Sequence, residues 1–339
     1  MYKIIDLHED IAYFFETGSK ELIRDFDKDI SGRHGDIPKY LRGNVHLIFA
    51  SIFPAIETWD PVRAEKLTKL YGREIFYRGS VFAGYDNLFE QVKIYYRLAD
   101  KYSDYIEIIF SRSDLDKFLG DNKIRLLISL EGADPLMNPD DLLILYRIGV
   151  RSLAITWNYN NRYGASCMSK KDYGLTDAGE ELVEYANKLG IILDISHASK
   201  KTSLDVINIS KLPVIASHSN YFSRKNHPRN IDDEILEGLK RIGGVVGFTL
   251  IRSTLGGKES IDDLVDHIVD VWSRYGSDVL AIGTDFFGIE NTPTGLEDVS
   301  KLQDLLKKLS NRGLGENDLR KIAHENVLRI LKIHASKWI

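Results

Sequence analysis

Residues 176–220 read TDAGEELVEYANKLGIILDISHASKKTSLDVINISKLPVIASHSN, and this stretch decides how the chain folds. Its first part carries apolar side chains on one face of a predicted helix, with Thr176 as a candidate N-cap and Gly190 just after the last turn. Two runs follow, at 191–195 and 213–217, and both are apolar on both faces, as strands buried within a parallel sheet are. Each run leads into a Ser-His pair. The stretch therefore predicts helices that alternate with parallel strands, with a histidine at two strand ends.

The same alternation extends along most of the 339 residues. A capping box of Ser260 and Asp263 opens another helix, and Gly276 closes it before the last predicted strand. Eight strands joined by crossover helices predict an α/β fold of the (β/α)8 TIM-barrel type, although an open doubly wound sheet would produce the same local pattern. Two of these strands are the runs at 191–195 and 213–217. The other six are predicted at 2–5, 45–53, 124–130, 151–156, 245–249 and 279–283.

Composition and charge limit the domain organisation and the partners. The segment 54–123 is interpreted as helices inserted into a single barrel domain, 1–339, because no linker-like composition flanks it. A net charge of −5 argues against nucleic acid or an anionic membrane surface as the main partner. The single cysteine, Cys167, cannot form an intrachain disulfide, and neither a signal-type N-terminus nor an apolar run of about 18 residues is present. We therefore expect a cytoplasmic protein without a membrane anchor.

Metal-ligating side chains follow five of the predicted strands. In a parallel barrel the carboxyl ends of the strands meet at one rim, where active sites lie. His8 and Asp10 follow the first strand at a spacing that projects both to the same side of an extended segment, and Glu9 between them is expected to be solvated. The candidate site residues are His8, Asp10, Glu131, His197, His218 and Asp285.

This set of donors predicts a metal centre that carries out hydrolysis. Imidazole nitrogens and carboxylate oxygens without a thiolate suit Zn²⁺, and also Mn²⁺ or Co²⁺, and leave coordination positions open for water. Glu131 has two oxygens and can bridge two cations, one bound by His8 and Asp10 and the other by the two later histidines. Two cations about 3.5–4 Å apart would share a water, lower its pKa and polarise a substrate carbonyl. The carboxylate after the last strand can then carry a proton to a leaving amine.

The motifs, taken in chain order, resemble those of the membrane dipeptidase (renal dipeptidase) family of the amidohydrolase superfamily. Asp6-Leu7-His8-Glu9-Asp10 is similar to the family's Asp-Gly-His-Asn-Asp opening, and Glu131-Gly132 to its bridging glutamate. A series of motifs in the family's order is specific, whereas any one of them would be weak. The likeness continues through 193–199, 213–219, 229–230, 283–286, 295–300 and 325–329.

The resemblance implies a site and an activity. It implies a distorted barrel with two zinc ions, one held by His8 and Asp10 and the other by His197 and His218, with the glutamate shared. It also implies dipeptide hydrolysis, with L,D as well as L,L dipeptides as substrates. Members of the family often form dimers, so a homodimer is implied as well, although the sequence itself carries no interface signal.

Two further residues receive roles from the resemblance. Asp285 would act as acid and base, and Arg229 would reach the substrate carboxylate, which a guanidinium can bind through two hydrogen bonds.

Three departures from the family leave the substrate open. Trp157 stands where animal members carry a substrate-contacting histidine, and it offers only an N–H donor and a large apolar face. Phe287 replaces a second carboxylate near Asp285, and residues 250–252 offer no tyrosine for a substrate carboxylate. An amidohydrolase acting on N-acyl amino acids, lactones or another small amide is therefore an alternative to a dipeptidase. A barrel that binds a small ligand without catalysis is a third reading.

Overall fold

The computed structural model describes residues 1–17, 24–53, 65 and 85–338, and in this part of the chain eight parallel strands close into a barrel. The ring closes because its first strand pairs with both the second and the last strand of the ring, while the second also pairs with the third. The closed ring confirms the predicted (β/α)8 barrel and excludes the open doubly wound sheet. Its strands are β1 (Ile4–Glu9), β2 (Val45–Ile52), β4 (Ile124–Glu131), β5 (Val150–Ala154), β6 (Ile192–Asp194), β7 (Ile215–Ala216), β8 (Val245–Phe248) and β9 (Leu280–Ile282).

A short strand, β3 (Ile106–Ile108), extends the sheet outside the ring. It pairs with the first half of β4, on the same edge that β5 occupies further along. This strand lies in the segment 54–123 and was not predicted, because three residues are too short a run to show periodicity. Residues 54–64 and 66–84 lie outside the described residues, so the helical insertion and the single domain stay predictions.

Helices follow most of the strands and cover the outside of the barrel. The predicted caps are present where α6 begins and ends: the Thr176 hydroxyl accepts a hydrogen bond from the backbone N–H of Gly179, and Gly190 has φ 73°. None of the described helices is both long and apolar enough to cross a membrane. The helices are α1 (Ile11–Thr17), α2 (Ile37–Gly43), α3 (Tyr85–Lys101), α4 (Arg112–Asp116), α5 (Leu142–Arg147), α6 (Asp177–Leu189), α7 (Lys200–Ile209), α8 (Asp233–Arg241), α9 (Arg252–Leu255), α10 (Ile261–Tyr275), α11 (Leu302–Asn311), α12 (Glu316–Arg320) and α13 (Asn326–Ala335).

The strands are buried on both faces, as their apolar runs predict. Every residue of β1, β2 and β4 is buried. Between β7, β8 and β9 the backbones approach closely, since a Cβ at Gly247 or at Gly283 would overlap the carbonyl oxygen of Ser217. Glycine at these positions lets the ends of three neighbouring strands come together. The next residues along those strands can therefore share one site.

Candidate metal centre

The structure brings all six predicted site residues together at the carboxyl ends of five strands. Glu131 lies at the centre, and its two oxygens face different histidines. One oxygen lies 2.9 Å from Nε2 of His197 and 3.4 Å from Nε2 of His218. The other oxygen lies 3.6 Å from Nε2 of His8. This is the arrangement expected of a carboxylate that bridges two cations.

Two aspartates complete the side of the site near β1. Nε2 of His8 lies 3.7 Å from Oδ1 of Asp10 and 3.8 Å from Oδ1 of Asp285. Each of these side chains is 3% exposed or less, so the charges are almost fully removed from water. Three overlapping groups have ligand atoms within 4.8 Å of one another: His8, Asp10 and Glu131; Glu131, His197 and His218; and His8, His218 and Asp285.

The backbone at the strand ends is held in unusual conformations. His197 and Asp285 have φ of 65° and 66°, in the left-handed region that side chains with a Cβ seldom occupy. The Asp6 carboxylate holds the end of β1 against the chain after β9, because it accepts hydrogen bonds from the N–H and hydroxyl of Thr284 at 2.8 and 2.6 Å. The N–H of Asp285 in turn donates to the His8 carbonyl at 3.0 Å. Strained backbone that neighbouring strands hold in this way is typical of functional sites.

The expectation that Glu9 is solvated was wrong. Glu9 is fully buried, and its carboxyl accepts a hydrogen bond from the Tyr40 hydroxyl. Burial, and then the neighbouring carboxylate of Asp6, raise the pKa of Glu9 well above its usual range. Both effects favour the neutral, protonated form of Glu9, and its hydrogen-bond partner Tyr40 lies outside the group of ligands.

The two later histidines are oriented by partners that the sequence analysis did not identify. Nδ1 of His197 lies 2.9 Å from Oδ1 of Asn158, an oxygen that can only accept. Nδ1 of His218 lies 2.8 Å from the Ser217 hydroxyl, whose own proton goes to the carboxylate of Asp194. Both imidazoles therefore carry their proton on Nδ1 and direct an Nε2 lone pair into the site, as metal-binding histidines do.

Position relative to the strands could have indicated both partners. Asn158 comes directly after the candidate residue Trp157 past β5, and Asp194 is the last residue of β6. Polar residues at strand ends of a parallel barrel are candidates for contacts at the rim.

The buried charges of the site favour the binding of cations. Burial opposes protonation of His8, but the carboxylates of Glu131, Asp10 and Asp285 outweigh it and raise the pKa of His8 to about 10. Burial raises the pKa of Glu131 well above its usual range, and it lowers the pKa of His197 and His218 well below theirs. Neutral histidines beside clustered carboxylates form a site where divalent cations would replace protons.

The residues present fit a divalent metal centre. The Nε2 atoms of His197 and His218 lie 2.9 Å apart, and with both protons on Nδ1 these two lone pairs face each other without a proton between them. Neither ring nitrogen of His8 makes a hydrogen bond within the described residues, although the ring is 1% exposed. Buried polar atoms are almost always satisfied, and here cations would satisfy them. His8, Asp10, Glu131, His197 and His218 would hold the metal.

Arg229 and Trp157, the two predicted substrate contacts, are both buried next to ligands of the centre and have different neighbours. Arg229 is 2% exposed, donates to the carbonyl of His218 at 3.1 Å and, with His197, lines a cavity of about 270 Å³. The Trp157 ring lies 6.0 Å from the His197 ring and packs against Phe53 at 4.5 Å and Tyr159 at 5.7 Å. Arg229 therefore places a cation beside a cavity, and Trp157 is part of an aromatic layer.

The other two departures from the family lie outside the group of ligands. The Phe287 ring packs against Phe14 at 5.0 Å and near His34, in an apolar cluster. Ile251 is buried and Arg252 forms an ion pair with Glu259 at 2.6 Å, so neither replaces the missing tyrosine.

Comparison with known proteins assigns the chain to a family. The family model of the membrane dipeptidases (peptidase family M19) matches residues 1–337. The chain is 32% identical over 336 residues to Dipeptidase verJ of Clonostachys rogersoniana, covering 97% of this chain and 83% of that protein. It is 30% identical over 311 residues to Dipeptidase tcpJ of Claviceps purpurea (strain 20.1), covering 90% of this chain and 70% of that protein.

Solved structures share the fold. A metallo peptidase from Rhodobacter sphaeroides, liganded with a phosphinate mimic of the dipeptide L-Ala-D-Ala, matches with a TM-score of 0.84 at 23% identity, over 100% of this chain and 99% of that one. The dipeptidase AC, a metallo peptidase of family M19, matches with a TM-score of 0.81 at 22% identity, over 99% of both chains. Family model, relatives and fold agree: the chain belongs to the membrane dipeptidase family, peptidase family M19, and is a metal-dependent hydrolase.

Proposed function

We propose that this protein hydrolyses the peptide bond of dipeptides and uses a pair of divalent metal ions to do so. Zinc is the first candidate for these ions. The observation that carries the proposal is the position of Glu131, with one carboxylate oxygen 2.9 Å from His197 and the other 3.6 Å from His8. Two relatives of at least 30% identity are dipeptidases by name, which supports the substrate class. The dipeptide mimic in the Rhodobacter sphaeroides structure motivates including L,D dipeptides among the substrates.

Each group near the centre has a chemical role in this reaction. When bound, the metal ions supply Lewis acidity at the scissile carbonyl and lower the pKa of a water. Asp285 takes the proton of the attacking water and delivers it to the leaving amine, since its carboxylate lies beside the ligand His8. Arg229, buried beside a cavity, binds the substrate carboxylate. Trp157 excludes water and packs against an apolar part of the substrate.

Trp157 also favours a second candidate substrate class. Because Trp157 presents a large apolar face, an acyl chain could pack on the layer that it forms with Phe53 and Tyr159. N-acyl amino acids, lactones and small amides therefore belong in the same kinetic panel as dipeptides. If only the acyl or lactone substrates turn over, the dipeptidase proposal is wrong and the metal-dependent hydrolase remains.

The experiment is a kinetic panel with defined metal content. Apoprotein is refilled with zinc, cobalt or manganese, the metal is counted per chain, and L,L and L,D dipeptides are assayed beside the acyl and lactone substrates. We expect about two equivalents of metal and turnover of dipeptides. Fewer than two equivalents after refilling, with no turnover, would instead support a ligand-binding barrel.

A single variant connects the activity to the bridging carboxylate. Glu131→Gln removes one shared negative charge and should abolish turnover while the protein stays folded. Glu180→Gln, the same change at an exposed position of α6, is the matched control and should behave as wild type. Full activity of Glu131→Gln would contradict the mechanism.

A further inference from the structure

The turn that carries Asp285 is strained at two residues. Asp285 and Phe287 both have φ of 66°, although neither is a glycine. A residue with a Cβ seldom adopts this left-handed conformation, because the Cβ crowds the neighbouring backbone. The turn keeps this conformation only if contacts outside it compensate.

Backbone hydrogen bonds to β1 supply part of that support. The N–H of Asp285 donates to the carbonyl of His8 at 3.0 Å, and the carbonyl of Phe286 accepts from the N–H of Asp10 at 2.9 Å. Within the turn, the N–H of Gly288 donates to the carbonyl of Asp285 at 3.1 Å. These bonds fix both ends of the turn, and Phe287 lies between them.

A histidine from a distant part of the chain holds the middle of the turn. The N–H of Phe287 donates to Nδ1 of His34 at 2.9 Å, across 253 positions of sequence. The imidazole packs against both phenylalanines of the turn, with ring centroids 5.2 Å from Phe286 and 5.6 Å from Phe287. Burial lowers the pKa of His34 to about 4, so its Nδ1 lone pair is free to accept at neutral pH.

His34 is itself fixed by a motif without another assigned role. Its carbonyl accepts a hydrogen bond from the N–H of Val299 at 2.9 Å. Val299 belongs to the stretch 295–300, which resembles the family but contributes no ligand to the metal centre. The stretch thus supports His34, and His34 supports the turn.

We propose that His34 is a positioning residue for the acid and base Asp285, acting through the N–H of Phe287. The inference rests on the proposed function, since it concerns the proton-transfer step. His34 holds the turn in the left-handed conformation that directs the Asp285 carboxylate at the site. His34 does not line the cavity beside Arg229, so its replacement should change kcat more than KM.

The test compares three replacements of His34 in the full-length, metal-loaded protein. His34→Leu removes the acceptor and should lower kcat about tenfold, as expected for a lost hydrogen bond of about 1.4 kcal/mol, while KM stays within about twofold. The acidic limb of the pH profile of kcat should shift as well. His34→Asn places an amide oxygen near the position of Nδ1 and should restore most of kcat. His34→Gln keeps an acceptor further from the backbone and should give an intermediate kcat.

A second measurement does not depend on activity. Hydrogen exchange of the Phe287 amide in the metal-free protein should accelerate in His34→Leu and return toward the wild-type rate in His34→Asn. His46→Leu is the control, because it is the same replacement at a buried histidine that bonds to Lys123 and Asn44 and not to the turn. It should lose stability without any change in kcat or in exchange at Phe287.

The outcomes separate this inference from the proposed function. Wild-type kcat and wild-type exchange in a folded His34→Leu variant would overturn the positioning role. A loss of kcat that His34→Asn fails to rescue would also overturn it. If the wild-type protein turns over no dipeptide, the proposed function fails, and the exchange rate of the Phe287 amide still decides whether His34 holds the turn.

Discussion

Because Gly288 has no side chain, it leaves space for the carboxylates of Asp10 and Asp285. A Cβ at this position would overlap Oδ2 of Asp10 and Oδ1 of Asp285. Gly288→Ala should therefore push one or both carboxylates out of place and weaken zinc binding at least tenfold, the scale of effect seen when groups around metal ligands are lost. Calorimetric titration of the metal-free variant with zinc measures this affinity.

A second glycine provides the control for that measurement. Gly120 lies far from the centre, and a Cβ there would make only an ordinary contact of 3.6 Å with Lys117. Gly120→Ala should bind zinc as the wild type does. Equal affinity of the two variants would show that the Asp10 and Asp285 carboxylates do not need the space at Gly288.

Glu9 provides a prediction about pH at the same scale. Its pKa is raised in the folded protein, so the native state keeps a proton that the unfolded chain loses above the ordinary value of 4.5. The unfolded state then binds fewer protons, and stability falls as pH rises above that value. Glu9→Gln mimics the neutral acid and should be increasingly stable relative to wild type between pH 4 and pH 8. Thermal unfolding of both metal-free proteins across this range measures the difference, and parallel curves would contradict a buried neutral Glu9.

At the scale of elements, α10 holds the segment that carries Arg229. Nδ1 of His267, buried on this helix, accepts from the N–H of Tyr221 at 3.0 Å, and its Nε2 lies 2.9 Å from the carbonyl of Leu255. His267→Leu should loosen the segment that follows His218 and raise KM about five- to tenfold with a smaller change in kcat, because Arg229 is proposed to bind substrate in the ground state. Steady-state kinetics on the best dipeptide of the panel measure both constants.

The control for this element is another buried histidine with two hydrogen bonds. His334 on α13 bonds to the carbonyls of Gly190 and Pro213, which precede β6 and β7, whereas the Arg229 segment follows β7. His334→Leu should lower the free energy of unfolding without changing KM. An equal rise of KM in both variants would mean that general destabilisation, and not the Arg229 segment, causes the effect.

Elements also show what the sequence could and could not predict. Strands buried on both faces appear as short apolar runs, and parallel strand ends meet at one rim, so the eight barrel strands and the six site residues were identifiable from local patterns. β3 has only three residues, too few to show a hydrophobic period. The buried Glu9 is hydrogen-bonded to Tyr40, which lies 31 positions away in the sequence. Asn158 differs, since its position past β5 marks it as a rim residue, although its partner His197 reaches it only once the barrel closes. Hydrogen-bond partners that tertiary packing creates leave no mark in the local sequence.

At the scale of the whole molecule, the metal centre links strands from all around the barrel. The proposed ligands come from the ends of β1, β4, β6 and β7, and three buried carboxylates, Asp10, Glu131 and Asp285, repel one another without cations. Because the unfolded chain has no such site, metal binding should stabilise the fold as a whole, by about 4 kcal/mol for a site at 1,000 times its Kd. For a chain of 339 residues that stabilisation corresponds to a rise of roughly 6 °C in Tm. Differential scanning calorimetry with zinc and with a chelator measures the shift, and Glu131→Gln should show a much smaller one. Equal Tm values for the wild type with zinc and with chelator would mean that the rim does not bind metal.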